Sequence, residues 1–371
     1  MFSIIDEIKR IRKDRNINID PTNTNKYSIV LKESDGTNTA YCFSSPIYNT
    51  RNKHLVHGSF SIQGNTYSFL GINSTITIYK SLITIRNEEI GISIRLGCGD
   101  LKYQNGVVVG ENVTVMPSLN GITVLVDKDF FTFTTETITK NGFDRKNSKY
   151  YAFMKEGFRP YFSISPICSF DKSSVYPATI KEKESDNAHT YSVTGHGGTQ
   201  LLFEINLYEP KLFGDTTVES ATPKENNAFG AAAFIGKTNA FGEQWLYSRP
   251  DLSKISNLQN TEVTKALLHI PCFTKHPVEL SVYVPKMRFC SFGSTWNNKK
   301  PSSSVKTKST ANNGYLTIDM TDIICNTFDN RLKYTEGIIL KNENSNTDCV
   351  ALATADNYST PQILEIRYRP L

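Results

Sequence analysis

The 371-residue sequence lacks any run of roughly 18 apolar residues, the length that a membrane-spanning helix requires. Its N-terminus also lacks the uninterrupted apolar stretch of a secretion signal. Together these absences exclude a spanning helix and predict a chain made in the cytoplasm without a signal peptide. No Cys-x-x-Cys pair occurs, and the seven cysteines (Cys42, Cys98, Cys168, Cys272, Cys290, Cys325 and Cys349) form an odd set scattered through apolar stretches. That pattern predicts buried reduced thiols, not a zinc site or a disulfide framework.

Catalytic signatures are equally scarce. The six histidines include no His-x-x-x-His pair on a helical stretch, and no Gly-x-Ser-x-Gly elbow or Walker-type phosphate loop occurs. His196 lies in "TGHGGT", which has the composition of a glycine-rich oxyanion loop but lacks a nucleophile elbow to serve. The expectation is therefore a non-enzyme with no cofactor and no metal at a catalytic site. Structural calcium stays open, because loop carboxylates and carbonyls bind it without a linear motif. The net charge of +5 is spread along the chain, so no basic face points to nucleic acid.

What is present is β-structure. A hydrophobic content of 39% is that of a folded chain, and the length implies about two or three domains. The one helical pattern is "MFSIIDEIKRIRKDR", where Ile4, Ile8 and Ile11 share a face and Ser3 and Asp6 are spaced like a capping box. Three isoleucines make a stripe too narrow for a domain core, so the helix is read as a cover for the open end of a β-domain, as an assembly contact through Ile4, Ile8 and Ile11, or as a basic helix lying on a membrane surface.

From Asn16 onward short alternating runs rich in Thr, Ile, Val, Tyr and Phe recur between turn dipeptides, the pattern of antiparallel sandwiches. Asp35-Gly36, Gly64 and Asn120-Gly121 mark hairpin turns. The fold expected is all-β, two or three antiparallel jelly-roll-like sandwiches behind a short helix. The helix spans 1–16 and a first β-domain 17–110. A second, or a continuation of the first, spans 111–208, and a final sandwich spans 209–371.

Within that final region "DTTVESATPKENNAFG", "TKALLHIP", "VELSVYVP", "STWNNKKP", "GYLTIDMTDII", "GIILKN" and "TPQILEIRY" follow one another. In content and order they resemble the DNRLRE-type β-sandwich, close to carbohydrate-binding module family 96. The stretch "FGEQWLYSRPDLSKISNLQN" departs from that pattern as a long insertion. Earlier, "FSSPIYN" and "EGFRPYFSISP" resemble proteins encoded among clostridial phage-tail or tailocin genes.

These resemblances imply a structural or host-surface-attachment subunit of a phage or phage-tail-like particle, released as part of it. Its partners would be other subunits, further copies of itself and cell-surface polysaccharide. A free carbohydrate-binding adhesin is the alternative, and a polysaccharide-active enzyme the third reading.

Two tryptophans carry the site expectations. Trp296, recurring in the resembling loop with Asn297, Asn298 and Pro301, is read as a structural plug whose asparagines bond turn backbone. Trp245 and Tyr247, in the unexplained insertion, are read as exposed rings on which a sugar stacks.

Overall fold

The computed structural model describes residues 6, 8, 12–13, 17–49, 54–56, 58–88, 90–139, 142–143, 162–184, 189–228, 230–255, 258, 260–303, 307–311, 314–325, 329, 331, 333, 335–344 and 349–371. The fold is all-β, and every strand ladder among these residues is antiparallel. None of the described helices is long and apolar enough to cross a membrane. The chain divides into two compact units: one comprises Met1–His54, Lys211–Asp356 and Thr360–Leu371, the other Leu55–Pro210 and Asn357–Ser359.

Among the described residues the unit built on Leu55–Pro210 has two main sheets. One runs Lys102–Gln104, Val107–Gly110, Val113–Pro117, Gly121–Val126, Gln200–Leu207, Phe162–Phe170 and Val175–Tyr176. The other begins with the hairpin Thr179–Glu184 and His189–Thr194, continues through Phe130–Thr139 and Ile90–Leu96, and ends in the meander back to Ser61–Gln63.

Strict alternation explains the core. In Thr75–Tyr79 only Ile76 and Ile78 are buried, and in Leu82–Arg86 only Ile83 and Ile85, because successive side chains leave opposite faces. They meet Val113, Val115, Ile122, Val124 and Ile205 of the first sheet in one apolar cluster. Each such burial stabilises by about 1.5–3 kcal/mol. Phe133 of one sheet stacks on Phe203 of the other at 5.4 Å. The buried Glu204 accepts the backbone N–H groups of Tyr358 and Ser359, which fastens the Asn357–Ser359 segment to this unit.

No break falls at the boundary drawn between residues 110 and 111. Val107–Gly110 and Val113–Pro117 are neighbours in one sheet, and the positive-φ Asn112 closes the turn between them. Leu55–Pro210 thus fall in one unit, so 111–208 continue the preceding β-domain, one of the two readings that the sequence allowed.

The other unit is completed by the start of the chain. Asn38–Phe43 pairs with Ser28–Lys32 on one side and with Ile363–Pro370, the C-terminal strand, on the other. Ile363–Pro370 pairs in turn with Thr261–Cys272, the longest strand of the sheet. Residues 17–54 therefore belong with the C-terminal sandwich, a long-range pairing that local alternation does not encode.

Ala232–Thr238 pairs with Val350–Ala353 through Ile235, and from Gly236 onward with Gly242–Pro250. Gly236, at φ 132°, marks the corner at which this strand changes partner. Residues from both sides of that corner, Leu268, Ile318 and Leu364 with Leu246, Leu280 and Leu340, share one core.

Asp6, Ile8, Arg12 and Lys13 are helical. Ile8 is fully buried within the chain, so it is not an exposed contact for another subunit. Ile4 and Ile11 lie outside the described residues. The resembling stretch "GYLTIDMTDII" is a strand, Gly314–Asp319, followed by one helical turn, Thr321–Ile324.

No disulfide joins any two of the seven cysteines in the structure. Five are buried, as the sequence suggests, whereas Cys290 is exposed on a loop and Cys349 half-buried.

Candidate functional site

The stretch read as an insertion contains the strand Gly242–Pro250, which pairs with Phe213–Glu219, Ala232–Thr238 and Ile338–Lys341. Alternation sends Leu246 into the main core and Trp245 and Tyr247 to the opposite face. On that face Tyr247 joins Val218, Tyr283, Phe289 and Ile339 in a second, smaller apolar cluster, with Trp245 and Trp296 packed at its edge.

The connection after Val278–Tyr283 helps to cover this cluster. Its Phe289 is buried, and the Lys300 carbonyl accepts the Tyr247 hydroxyl at 3.3 Å. Asn226, from the Asn-rich turn of the first resembling motif, pins this connection by donating to the carbonyls of Ser291 and Ser294, each at 2.7 Å.

Asn298 acts as an Asx side chain should, accepting the Thr295 N–H and donating to the Gly293 carbonyl. Asn297 engages through its backbone N–H, which donates to the Pro223 carbonyl. The Pro301 carbonyl accepts the Lys286 N–H.

These contacts bring the only two tryptophans of the chain together, with ring centroids 5.1 Å apart and planes tilted by 55°. Both are half-buried. Two of the site expectations change accordingly. Tyr247 is wholly buried and presents no ring to a ligand, because the loop covers it. Trp296 is not an enclosed plug, because it sits at the edge of the cluster rather than within it.

The charges around the pair complete the site. Lys341 Nζ lies 3.8 Å from the Trp245 ring centroid and 4.4 Å from that of Tyr283, and it donates to Ser302 Oγ at 3.3 Å. Lys299 Nζ lies 4.1 Å from the Trp296 ring and donates to the Trp296 carbonyl at 3.2 Å. Each such contact is worth about 0.5–1 kcal/mol when exposed and up to about 2 when desolvated.

Glu243 accepts the Trp245 indole N–H at 2.8 Å, and Glu343 accepts the hydroxyls of Ser281 and Tyr283. Those two hydroxyls hold the Glu343 carboxyl below its usual range. Partial burial lowers the Lys341 ammonium, an effect that Glu343 and Glu243 oppose. The arrangement offers apolar ring surface beside ammonium donors and carboxylate acceptors, the combination that a polyhydroxylated ligand requires. Lys341, Tyr283, Glu343 and Asn226 carry no local signal of this role, because three separate segments supply them.

Other polar constellations occur among the described residues. Thr317, His269 and Glu365 form a row of hydroxyl, imidazole and carboxylate across three strands, at 3.1 and 3.2 Å. The row crosses a sheet whose central strand is paired in ladders on both sides. His196 is exposed and stacks on Tyr176 at 4.3 Å. A groove by Asn18, Asp20 and Lys32 is polar, and Asp20 is already engaged by Thr22 and Asn23. Among the described residues no group of three or more His, Cys, Asp or Glu side chains is placed to hold a metal ion.

No family model and no curated protein matches the chain. Among solved structures it is similar to the isomalto-dextranase of Arthrobacter globiformis T6 complexed with panose, at 7% identity and a TM-score of 0.13. That likeness covers 67% of this chain and 36% of the other, and it carries no functional argument.

Proposed function

We propose that the chain is a non-catalytic surface-attachment protein whose C-terminal sandwich holds a saccharide against Trp245 and Trp296. The observation that carries this reading is the convergence of the two tryptophans, half-exposed and 5.1 Å apart, beside Lys299 and Lys341. Apolar faces of sugar rings stack on the indoles, while ammonium groups donate to hydroxyls and Glu343 and Glu243 accept from them. Service as a subunit of a phage-tail-like particle accords with this role and rests on the sequence resemblance.

The test is adhesion of the purified chain to isolated bacterial cell wall, compared with Trp245→Ala and Trp296→Ala. Loss of adhesion in a variant that keeps its far-ultraviolet circular dichroism supports the reading. Undiminished adhesion in both variants rejects it.

A further inference from the structure

We propose that Lys211 and Asp356 become joined by an isopeptide bond that the chain forms itself, with Asp215 carrying the protons. This inference is independent of the saccharide reading.

The Lys211 ammonium is paired with Asp356 Oδ1, and the two side chains are only 9% and 6% exposed. Asp215, at the head of the first resembling motif, is also buried and accepts the Ala355 N–H through Oδ2 at 2.7 Å. No N–H or hydroxyl reaches its other oxygen, Oδ1, nor Oδ2 of Asp356. A single proton held between the two carboxyls satisfies both oxygens. Burial raises both carboxyls, and the neighbouring Asp356 carboxylate raises Asp215 further, so the pair retains a proton; Lys211 against Asp356 favours its place on Asp215. Leu212, Phe213 and Ala355, adjacent in sequence to the pair, are buried too, so the contact stands at a desolvated place.

Three ionisable groups buried together are costly to keep charged, and an amide removes two of the charges at once. The geometry also supplies the parts of the reaction. Contact between amine and carboxyl replaces a bimolecular encounter. Transfer of one proton from the ammonium to the Asp356 carboxylate leaves a free amine and a neutral acid. The Lys211 nitrogen then adds to Cγ of Asp356, forming the C–N bond. Asp215 gives its proton to the departing oxygen and takes one from the nitrogen, so it ends as it began. The C–O bond breaks, one water leaves, and no oxidant or further reagent is needed.

The bond would tie together the first and last residues of Lys211–Asp356, the longest segment of its unit, closing that segment into a covalent ring.

The experiment is intact-mass measurement of the denatured full-length chain, followed by peptide mapping. The expected result is a mass one water below that of the sequence, with a branched peptide containing Lys211 and Asp356. Lys211→Arg, Asp356→Ala and Asp215→Asn should each keep the full mass. A wild-type chain at full mass, or a water loss that maps elsewhere, overturns the proposal whether or not the variants fold. A cross-link that still forms in Asp215→Asn overturns the role given to Asp215.

Discussion

Trp245 and Tyr247 stand two residues apart on one strand, and so on one face of the sheet, yet the first ring is half-exposed and the second wholly buried. The difference is made by what covers the strand. Tyr247 lies under the segment that contributes Phe289 and the Lys300 carbonyl, whereas Trp245 meets Trp296 at the edge of the same cluster.

Tyr247 should therefore govern stability. Tyr247→Ala empties a buried aromatic site and is expected to cost about 3–5 kcal/mol. Tyr247→Phe removes only the bond to the Lys300 carbonyl, about 1 kcal/mol. Trp245→Ala leaves a smaller void and should cost less than Tyr247→Ala. Urea unfolding followed by circular dichroism ranks the three, and a Trp245→Ala more damaging than Tyr247→Ala contradicts the assignment.

In the unit built on Leu55–Pro210, Gly121 is the most constrained glycine. A Cβ there would stand 2.1 Å from the Ile205 carbonyl oxygen and 2.7 Å from the Asn206 Cα, both fixed backbone of the paired strand. Gly121→Ala is expected to destabilise by at least about 1–3 kcal/mol. A melting temperature equal to that of the wild type would show that the Gly121–Val126 pairing is drawn wrongly.

Glu343 gives the site an acid limit. Its folded-state pKa is lowered by the Ser281 and Tyr283 hydroxyls, so the tether is present above the ordinary glutamate range and is lost as pH falls through the lowered value. Tryptophan fluorescence should report this step, because Lys341 bridges the Tyr283 and Trp245 rings. Glu343→Gln should abolish it, and a step of equal size in that variant would assign it to another group.

Much of the architecture was legible because it is local. Alternation in Thr75–Tyr79 and Leu82–Arg86 announces strands with one buried face, and the positive φ of Gly36 and Gly64 lies where the turn signals placed it. The pairing of Asn38–Phe43 with Ile363–Pro370 was not legible, because no local pattern names a partner more than 300 residues away. The site divides in the same way. Trp245 and Trp296 stood out as large rings among polar residues, but which of Trp245 and Tyr247 stays open depends on a loop that crosses from another part of the chain. Glu243 and Lys299 stand beside the tryptophans in sequence, whereas Lys341 and Glu343 come from another stretch that only the fold brings to them.

The central claim is that Trp245 and Trp296 together hold a saccharide, and the chain supplies its own probe, since these are its only tryptophans. The direct measurement is a fluorescence titration of the full chain with soluble polysaccharide from bacterial cell wall, with Trp245→Ala in parallel. The account predicts a saturable change in the wild type, and in the variant loss of binding with a smaller fall in melting temperature than Tyr247→Ala causes. Binding by the wild type that leaves the fluorescence unchanged, or equal binding by Trp245→Ala, would contradict it.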